Sequence, residues 1–189
     1  MDSYFVQCHQ LSRPDLYPRS RPLAVQQHQD IIALNEPARR LGVRKHDLPS
    51  DARGKLAKDG GTLVHVPTDE VGRVTYRLYD DCSRRLLGLW REMAREAGSW
   101  EAGAEAVLEA HPSSKDEAWI DTGMHQEAAA LDFARRLRDA TMARLGFAVS
   151  VGLSRSSKAV AKLASQEAKK AAQGGTDARA ADMLSLIHI

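Results

Sequence analysis

Two carboxylates stand side by side at Asp116 and Glu117, inside the run Ser114-Lys115-Asp116-Glu117-Ala118-Trp119-Ile120-Asp121, where polar residues give way to a short apolar stretch. Hard divalent cations such as magnesium take oxygen ligands, and a few carboxylates suffice where a substrate's phosphates complete the shell. Neighbouring residues of a regular strand point to opposite faces. Both acids therefore reach one centre only if they sit on a distorted turn at the entrance of the strand. Taken alone, the dipeptide is weak evidence and reads as an ordinary solvated acidic pair.

Charge is distributed unevenly around this pair. Lys and Arg number 27 and Asp and Glu 25, a net of +2, so the chain is no uniformly basic nucleic-acid binder. Residues 11–46 carry seven basic side chains against three acidic, and residues 150–180 six against two, a net of +4 in each. Residues 92–132 carry ten acids against two bases, a net of −8. Such segments fit solvated helix faces, or basic arms on a polyphosphate or nucleic-acid backbone with some of the acids on a divalent metal. The two cysteines, Cys8 and Cys82, form no C-x-x-C motif, which argues against a disulfide scaffold or thiolate zinc site and for a reducing compartment. The seven histidines form no i, i+4 pair. No apolar run reaches the roughly 18 residues of a membrane span, and Met1-Asp2-Ser3 does not open a signal peptide, so a soluble intracellular protein is expected.

The elements that must position these groups follow from local pattern. Tyr4-Phe5-Val6 reads as the end of a strand entering a turn or helix over Gln7 to Leu11. Leu23-Ala24-Val25 and Ile31-Ile32-Ala33 read as strands joined by the polar turn Gln26 to Asp30. Pro37 suits a first helical turn and Gly42 the end of that helix. A short helix over 47–57 precedes a strand over Thr62 to Val66, and Val71 to Ala97 carries apolar residues at Val74, Leu78, Cys82, Leu86, Leu89 and Met93, the spacing of a long helix. A short helix then runs to Ala110, with a break at His111-Pro112. Strands over Glu117 to Asp121 and Phe147 to Leu153 alternate with helices over Gln126 to Leu145 and Ser157 to Ala172. Strands and helices in this order predict an α+β sheet domain with helices on one face. Residues 173–189 read as a tail ending an incomplete gene model.

Four stretches in order resemble the Y-family, translesion DNA polymerases, most closely the eukaryotic iota and eta branch with its UmuC-type domain. Ser114 to Asp121 is similar to the family's S-x-D-E-A segment with its following apolar residue and Asp. Met1-Asp2-Ser3-Tyr4-Phe5-Val6-Gln7 is similar to the family's opening. Pro22-Leu23-Ala24-Val25-Gln26-Gln27 with Ala38-Arg39-Arg40-Leu41-Gly42-Val43 resembles its fingers segment. Val151-Gly152-Leu153-Ser154 through Lys158, with Ala161-Lys162-Leu163-Ala164-Ser165, resembles its G-I-S-x-N-K-x-x-A-K-x-A-S stretch. The likeness covers about residues 1 to 173.

The resemblance implies a polymerase palm, a ferredoxin-like antiparallel sheet with helices on one face, carrying a small inserted fingers subdomain. Residues 1–22 and 67–173 would be palm, 23–66 fingers and 174–189 a disordered or non-native tail. It implies DNA-directed synthesis past damaged bases by two-metal nucleotidyl transfer, with magnesium, or manganese in its place, held by Asp116 and Glu117. Phe5 would be the gate that excludes a 2′-hydroxyl, with Tyr4 beside it at the nucleotide. Arg39 and Lys169 would hold the triphosphate, and Gln27 would lie near the templating base. Without the resemblance Phe5 fits a core position, Arg39 and Lys169 fit solvated cations and Gln27 an ordinary hairpin polar. Trp119 and Phe133 read as core rather than as platforms for bases. Partners implied are primer–template DNA, a deoxynucleoside triphosphate and, through regions outside this chain, a sliding clamp; no membrane is implied, and residence would be nuclear.

The chain departs from the family pattern in places. The family's first metal-binding aspartate falls before Met1, and Asp2 matches the second aspartate of that opening. Glu36-Pro37 stands where Tyr-Glu is usual, which puts an acid where an aromatic hydroxyl would contact phosphate. Lys115 replaces an apolar residue, Ser156-Ser157 suggests a one-residue insertion, and Lys170 stands where proline is common. The expectation is a truncated palm-and-fingers portion, inactive as given. The alternatives are a non-catalytic DNA-binding or scaffolding relative of the same fold and, behind it, a cyclase-type palm, which would want glycines at Ser114-Lys115.

Overall fold

The computed structural model describes residues 3–98, 110–120, 127–155 and 157–174. It divides into two compact units, Met1–Ser83 and Arg84–Ile189. Both are built of helices and small sheets, which agrees with the α+β class read from the sequence.

The first unit opens on helix α1 (Tyr4–Ser12), not on the strand expected at Tyr4-Phe5-Val6. Three residues are too short a run to separate strand from helix. The ladder instead begins with the Gln7 amide on the Ser3 carbonyl at 2.8 Å. Tyr4, Val6, Gln7, Cys8, His9 and Gln10 are all buried, so α1 is enclosed on nearly every side. Strands β1 (Leu23–Gln27) and β2 (Asp30–Leu34) form the expected hairpin, with a bulge between Val25 and Gln26 and a turn in which His28 takes φ +53°. Strand β3 (Thr62–His65) joins the other side of β1 in parallel, giving the order β2-β1-β3. A parallel neighbour needs a crossover. Here helix α2 (Glu36–Arg40), helix α3 (Pro49–Leu56) and a single 3-10 turn at Ala57–Asp59 supply it. Ala24, Ile31, Leu34, Ala38, Val43, Ala52 and Leu56 close a core over this sheet.

Two caps set α2. The buried Asn35 side chain accepts from the amides of Leu23 and Ala38 at 2.9 and 3.1 Å and donates to the Arg21 carbonyl at 2.7 Å, so one residue starts the helix and ties it to β1. At the other end Gly42 takes φ +81°, its amide reaches the Arg39 carbonyl and the Val43 amide the Ala38 carbonyl. That is the paired closure of a helix on a left-handed glycine.

The long helix expected from Val71 starts later, as α4 (Arg77–Gly98). Asp69 holds the amides of Val71 and Arg73 at 3.1 and 2.8 Å, Gly72 takes φ +80°, and Thr68 bridges Val74, so 68–74 is a turn and Val74 lies outside the helix. Tyr79 and Cys82, in the part of α4 that belongs to the first unit, are buried, as are Leu86, Leu89, Trp90, Ala94 and Ala97 in the part that belongs to the second.

The second unit also contains β4 (Ala110–Pro112), β5 (Ala118–Ile120), α5 (Glu127–Leu145) and α6 (Lys158–Gly174). His111-Pro112 is part of β4 rather than a break, and Pro112 is paired with Ala118 at the end of the strand. The antiparallel sheet expected of a palm appears among the described residues as the β4–β5 hairpin, and the larger sheet is the mixed one in 23–65. Phe147 to Leu153, expected as a strand, holds only a bridge position at Leu153, although burial alternates from Phe147 to Ser150 as it does on a strand. Phe133, Ala134, Leu137, Thr141 and Phe147 are buried, and Trp90 Nε1 donates to Thr141 Oγ1 at 3.0 Å. The helix expected before Ala110, Asp121, Ser156 and the tail from 175 lie outside the described residues. No helix among those described is long and apolar enough to cross a membrane.

Candidate functional site

The loop joining β4 to β5 is Ser113 to Glu117, and both acids of interest lie on it. The amides of Ser113 and Ser114 converge on the Glu117 carbonyl at 2.8 and 3.1 Å, which folds the loop back on itself. Asp116 and Glu117 thus leave the strict alternation of a ladder, the condition that adjacent acids need to serve one centre. Both are partly exposed. Ser114 Oγ donates to Asp116 Oδ1 at 2.9 Å, and the Asp116 amide reaches back to the same Oγ at 3.4 Å.

Glu117 is held from α6. Lys162 Nζ lies 3.1 Å from Oε1 and 3.1 Å from Oε2, spanning the carboxylate. One turn earlier on the same helix, Lys158 Nζ stands 6.0 Å from the centre of the Trp119 ring. Lys158 and Lys162, four apart, share one face of α6, and their contacts with Trp119 and Glu117 lay that face on the hairpin and its loop. The helix is seated by Gly152, where a Cβ would meet the Ala161 carbonyl oxygen at 2.0 Å and the Ser165 amide nitrogen at 2.5 Å. Lys162, quoted in the sequence pattern but given no role there, is the residue that reading missed. Its spacing from Lys158 was the available signal. Lys169 lies further along α6.

Tyr4, Phe5, Gln27 and Arg39 belong to the first unit. The Tyr4 hydroxyl donates to the Tyr79 carbonyl. Phe5, half-buried, is flanked edge-on by Tyr4 at 5.7 Å and Tyr79 at 4.5 Å between ring centroids. The stacked aromatics hold that ring in one orientation. Tyr79 in turn meets His9 Nε2 through its hydroxyl at 2.9 Å, and burial lowers the His9 pKa from 6.5 to about 4. Gln27 ends β1, opposite Asp30 across the hairpin. Arg39 lies on α2 beside Glu36, its Nε 3.6 Å from Oε2, while Arg40 meets the other oxygen at 3.5 Å. Both separations exceed hydrogen-bond length, so charge alone pairs them. Phe133 is buried, as expected; Trp119 is half-buried beneath Lys158.

Asp116 and Glu117 offer hard oxygen donors of the type magnesium or manganese takes, partly open to solvent and on a loop free of the ladder. Among the described residues no group of three or more His, Cys, Asp or Glu stands together, so the pair fits as a partial ligand set that substrate phosphate and water would complete.

Residues 1–166 match the model of the impB/mucB/samB family, IMS. Over 173 residues the chain is 27% identical to protein UmuC of Salmonella typhimurium strain LT2, a match covering 90% of this chain and 35% of UmuC. Its fold is similar to that of DinB from Sulfolobus solfataricus, with TM-score 0.64 and 20% identity over 87% of this chain and 43% of that one. It is also similar to a Dbh ternary complex with partially disordered substrates, with TM-score 0.67 and 19% identity over 98% of this chain and 45% of that one. The chain thus spans about a third of its curated relative and under half of these solved chains.

Proposed function

The chain belongs to the impB/mucB/samB family of Y-family DNA polymerases, and from that premise we propose that it carries the nucleotidyl-transfer residues of a translesion polymerase, which joins a deoxynucleotide to a primer 3′-hydroxyl opposite a damaged template base. The observation that carries this reading is the Asp116-Glu117 pair on a loop outside the ladder, partly exposed and met by Lys162 of α6.

In this reading Asp116 and Glu117 hold divalent metal, Asp116 with its oxygen already oriented by Ser114. The metal supplies charge neutralisation and a lowered pKa for the attacking hydroxyl. Arg39 and Lys169 neutralise the triphosphate, Arg39 leaving Glu36 to do so. The edge-packed Phe5 ring presents a fixed wall to the sugar, and Tyr4 and Tyr79 keep it from yielding to a 2′-hydroxyl. Gln27, at the end of β1, contacts the template side. DNA and a deoxynucleoside triphosphate are the partners proposed for this chain. The ternary complexes of Dbh support them.

One observation favours a second reading, a DNA-binding relative with reduced or lost turnover. Glu36 engages Arg39 and Arg40 together, so an acid of the chain competes with phosphate for the same cations.

The test is manganese-dependent binding of a fluorescent deoxynucleoside triphosphate to the 189-residue chain. Asp116→Asn and Glu117→Gln are each expected to weaken it about tenfold, the scale of losing one charged ligand contact. Nucleotide binding indifferent to both substitutions overturns the metal reading. DNA binding with no metal-dependent nucleotide binding establishes the second.

A further inference from the structure

We propose that Lys162 is a latch on the Glu117 carboxylate: it occupies both oxygens in the absence of metal, and a divalent ion gains Glu117 only by displacing it. This rests on the reading of Glu117 as a metal ligand.

The geometry specifies a competitor rather than a bystander. Lys162 Nζ is equidistant, at 3.1 Å, from Oε1 and Oε2, so one ammonium covers both the positions from which Glu117 would bind a metal. The backbone that carries the ammonium is held against the hairpin side. The helix that carries it is pressed onto Gly152 one residue before Lys162, at the Ala161 carbonyl, and is drawn to the hairpin again by Lys158 over Trp119. Electrostatics explains why such a contact forms. Asp116 and Glu117 are neighbours of like charge, and an ammonium lowers their mutual repulsion at modest cost because the pair is part-exposed, 50% for Lys162 and 31% for Glu117. The same exposure makes the latch weak enough to open. A doubly charged ion meeting the two acids outcompetes a single ammonium, and the released Lys162 then becomes a spare cation next to the metal. Lys162 is therefore a positioning residue: it acts through Glu117.

The measurement is the affinity of the 189-residue chain for manganese alone, read as free ion by electron paramagnetic resonance. Lys162→Met should tighten manganese binding by about two- to fivefold, the range of an exposed ion pair. Lys162→Arg, which keeps the cation, should hold the wild-type affinity. Loss of a merely structural contact would loosen the loop and weaken the ion, the opposite sign. Unchanged or weaker binding in Lys162→Met, with Glu117→Gln still weakening it, overturns the latch and leaves the metal reading standing. Manganese binding unaffected by Glu117→Gln overturns both.

Discussion

A buried imidazole must either find a proton partner or go without charge, and His9 goes without. It is 5% exposed, its ring lies edge-on to Tyr17 and Tyr79, and burial holds its pKa at about 4 against 6.5 in the open chain. Burial also pushes the Tyr79 phenol above its ordinary value, so that hydroxyl stays protonated beside the neutral ring. The folded state therefore refuses a proton that the unfolded chain accepts below about pH 6.5, and stability falls as pH drops from there toward 4. From pH 7 to pH 5 the loss is about 2 kcal/mol, approaching 1.36 kcal/mol per unit well below pH 6.5. Denaturant titrations at pH 7 and pH 5 should show that loss in the wild type and not in His9→Gln, which keeps a hydrogen-bonding group for Tyr79 but does not titrate. Equal losses in both would place the acid sensitivity elsewhere. Of these residue-level facts the sequence shows a part. Asp116-Glu117 stands out because two acids border an apolar run. The Lys162–Glu117 pair does not, since its partners are 45 residues apart and meet only when α6 is laid on the hairpin.

At the scale of elements, Gly152 lets its backbone approach α6 closely. A methyl group 2.0 Å from the Ala161 carbonyl oxygen cannot be absorbed by rotating a side chain, because the opposing atoms are backbone. Gly152→Ala is expected to cost at least about 2 kcal/mol, or a melting temperature lower by about 5 °C or more in a chain of this size. Gly88, exposed in the middle of α4 with nothing within 4 Å of a built Cβ, is the matched control in which alanine should not destabilise. If Gly152→Ala melts with the wild type, α6 is not seated as described and the alignment of Lys162 with Glu117 loses its support. Elements were legible in proportion to their local punctuation. The β1–β2 hairpin and α2 announce themselves through Asn35, Pro37 and Gly42, each of which acts within a few residues. The errors at Tyr4-Phe5-Val6, 71–76 and Phe147 to Leu153 share a cause: apolar spacing fits more than one backbone. The decision belongs to Asp69 at the turn, to the enclosure of α1, and to which strand, if any, is offered as a neighbour.

For the whole molecule, the two compact units meet in sequence within α4, between Ser83 and Arg84. Nothing in composition marks that point, because a continuous amphipathic helix can supply buried residues to two cores without a linker. Charge is the property that the sequence states most directly at this scale. With a net of +2 the chain exerts little long-range attraction on DNA, while its basic segments, 11–46 and 150–180, each carry +4 and its acidic segment −8. The DNA binding proposed above would therefore rest on a few short-range phosphate contacts. Some of the cations concerned are already engaged within the chain, Arg13 by Asp15, Arg39 and Arg40 by Glu36 and Lys162 by Glu117. Binding of a primer–template duplex, followed by fluorescence anisotropy, should fall by about ten- to a hundredfold as salt rises from about 50 to about 200 mM, the response of roughly two to four neutralised phosphates. A flat salt response would mean that the basic segments face solvent rather than DNA, and the nucleic-acid partner would have to be abandoned.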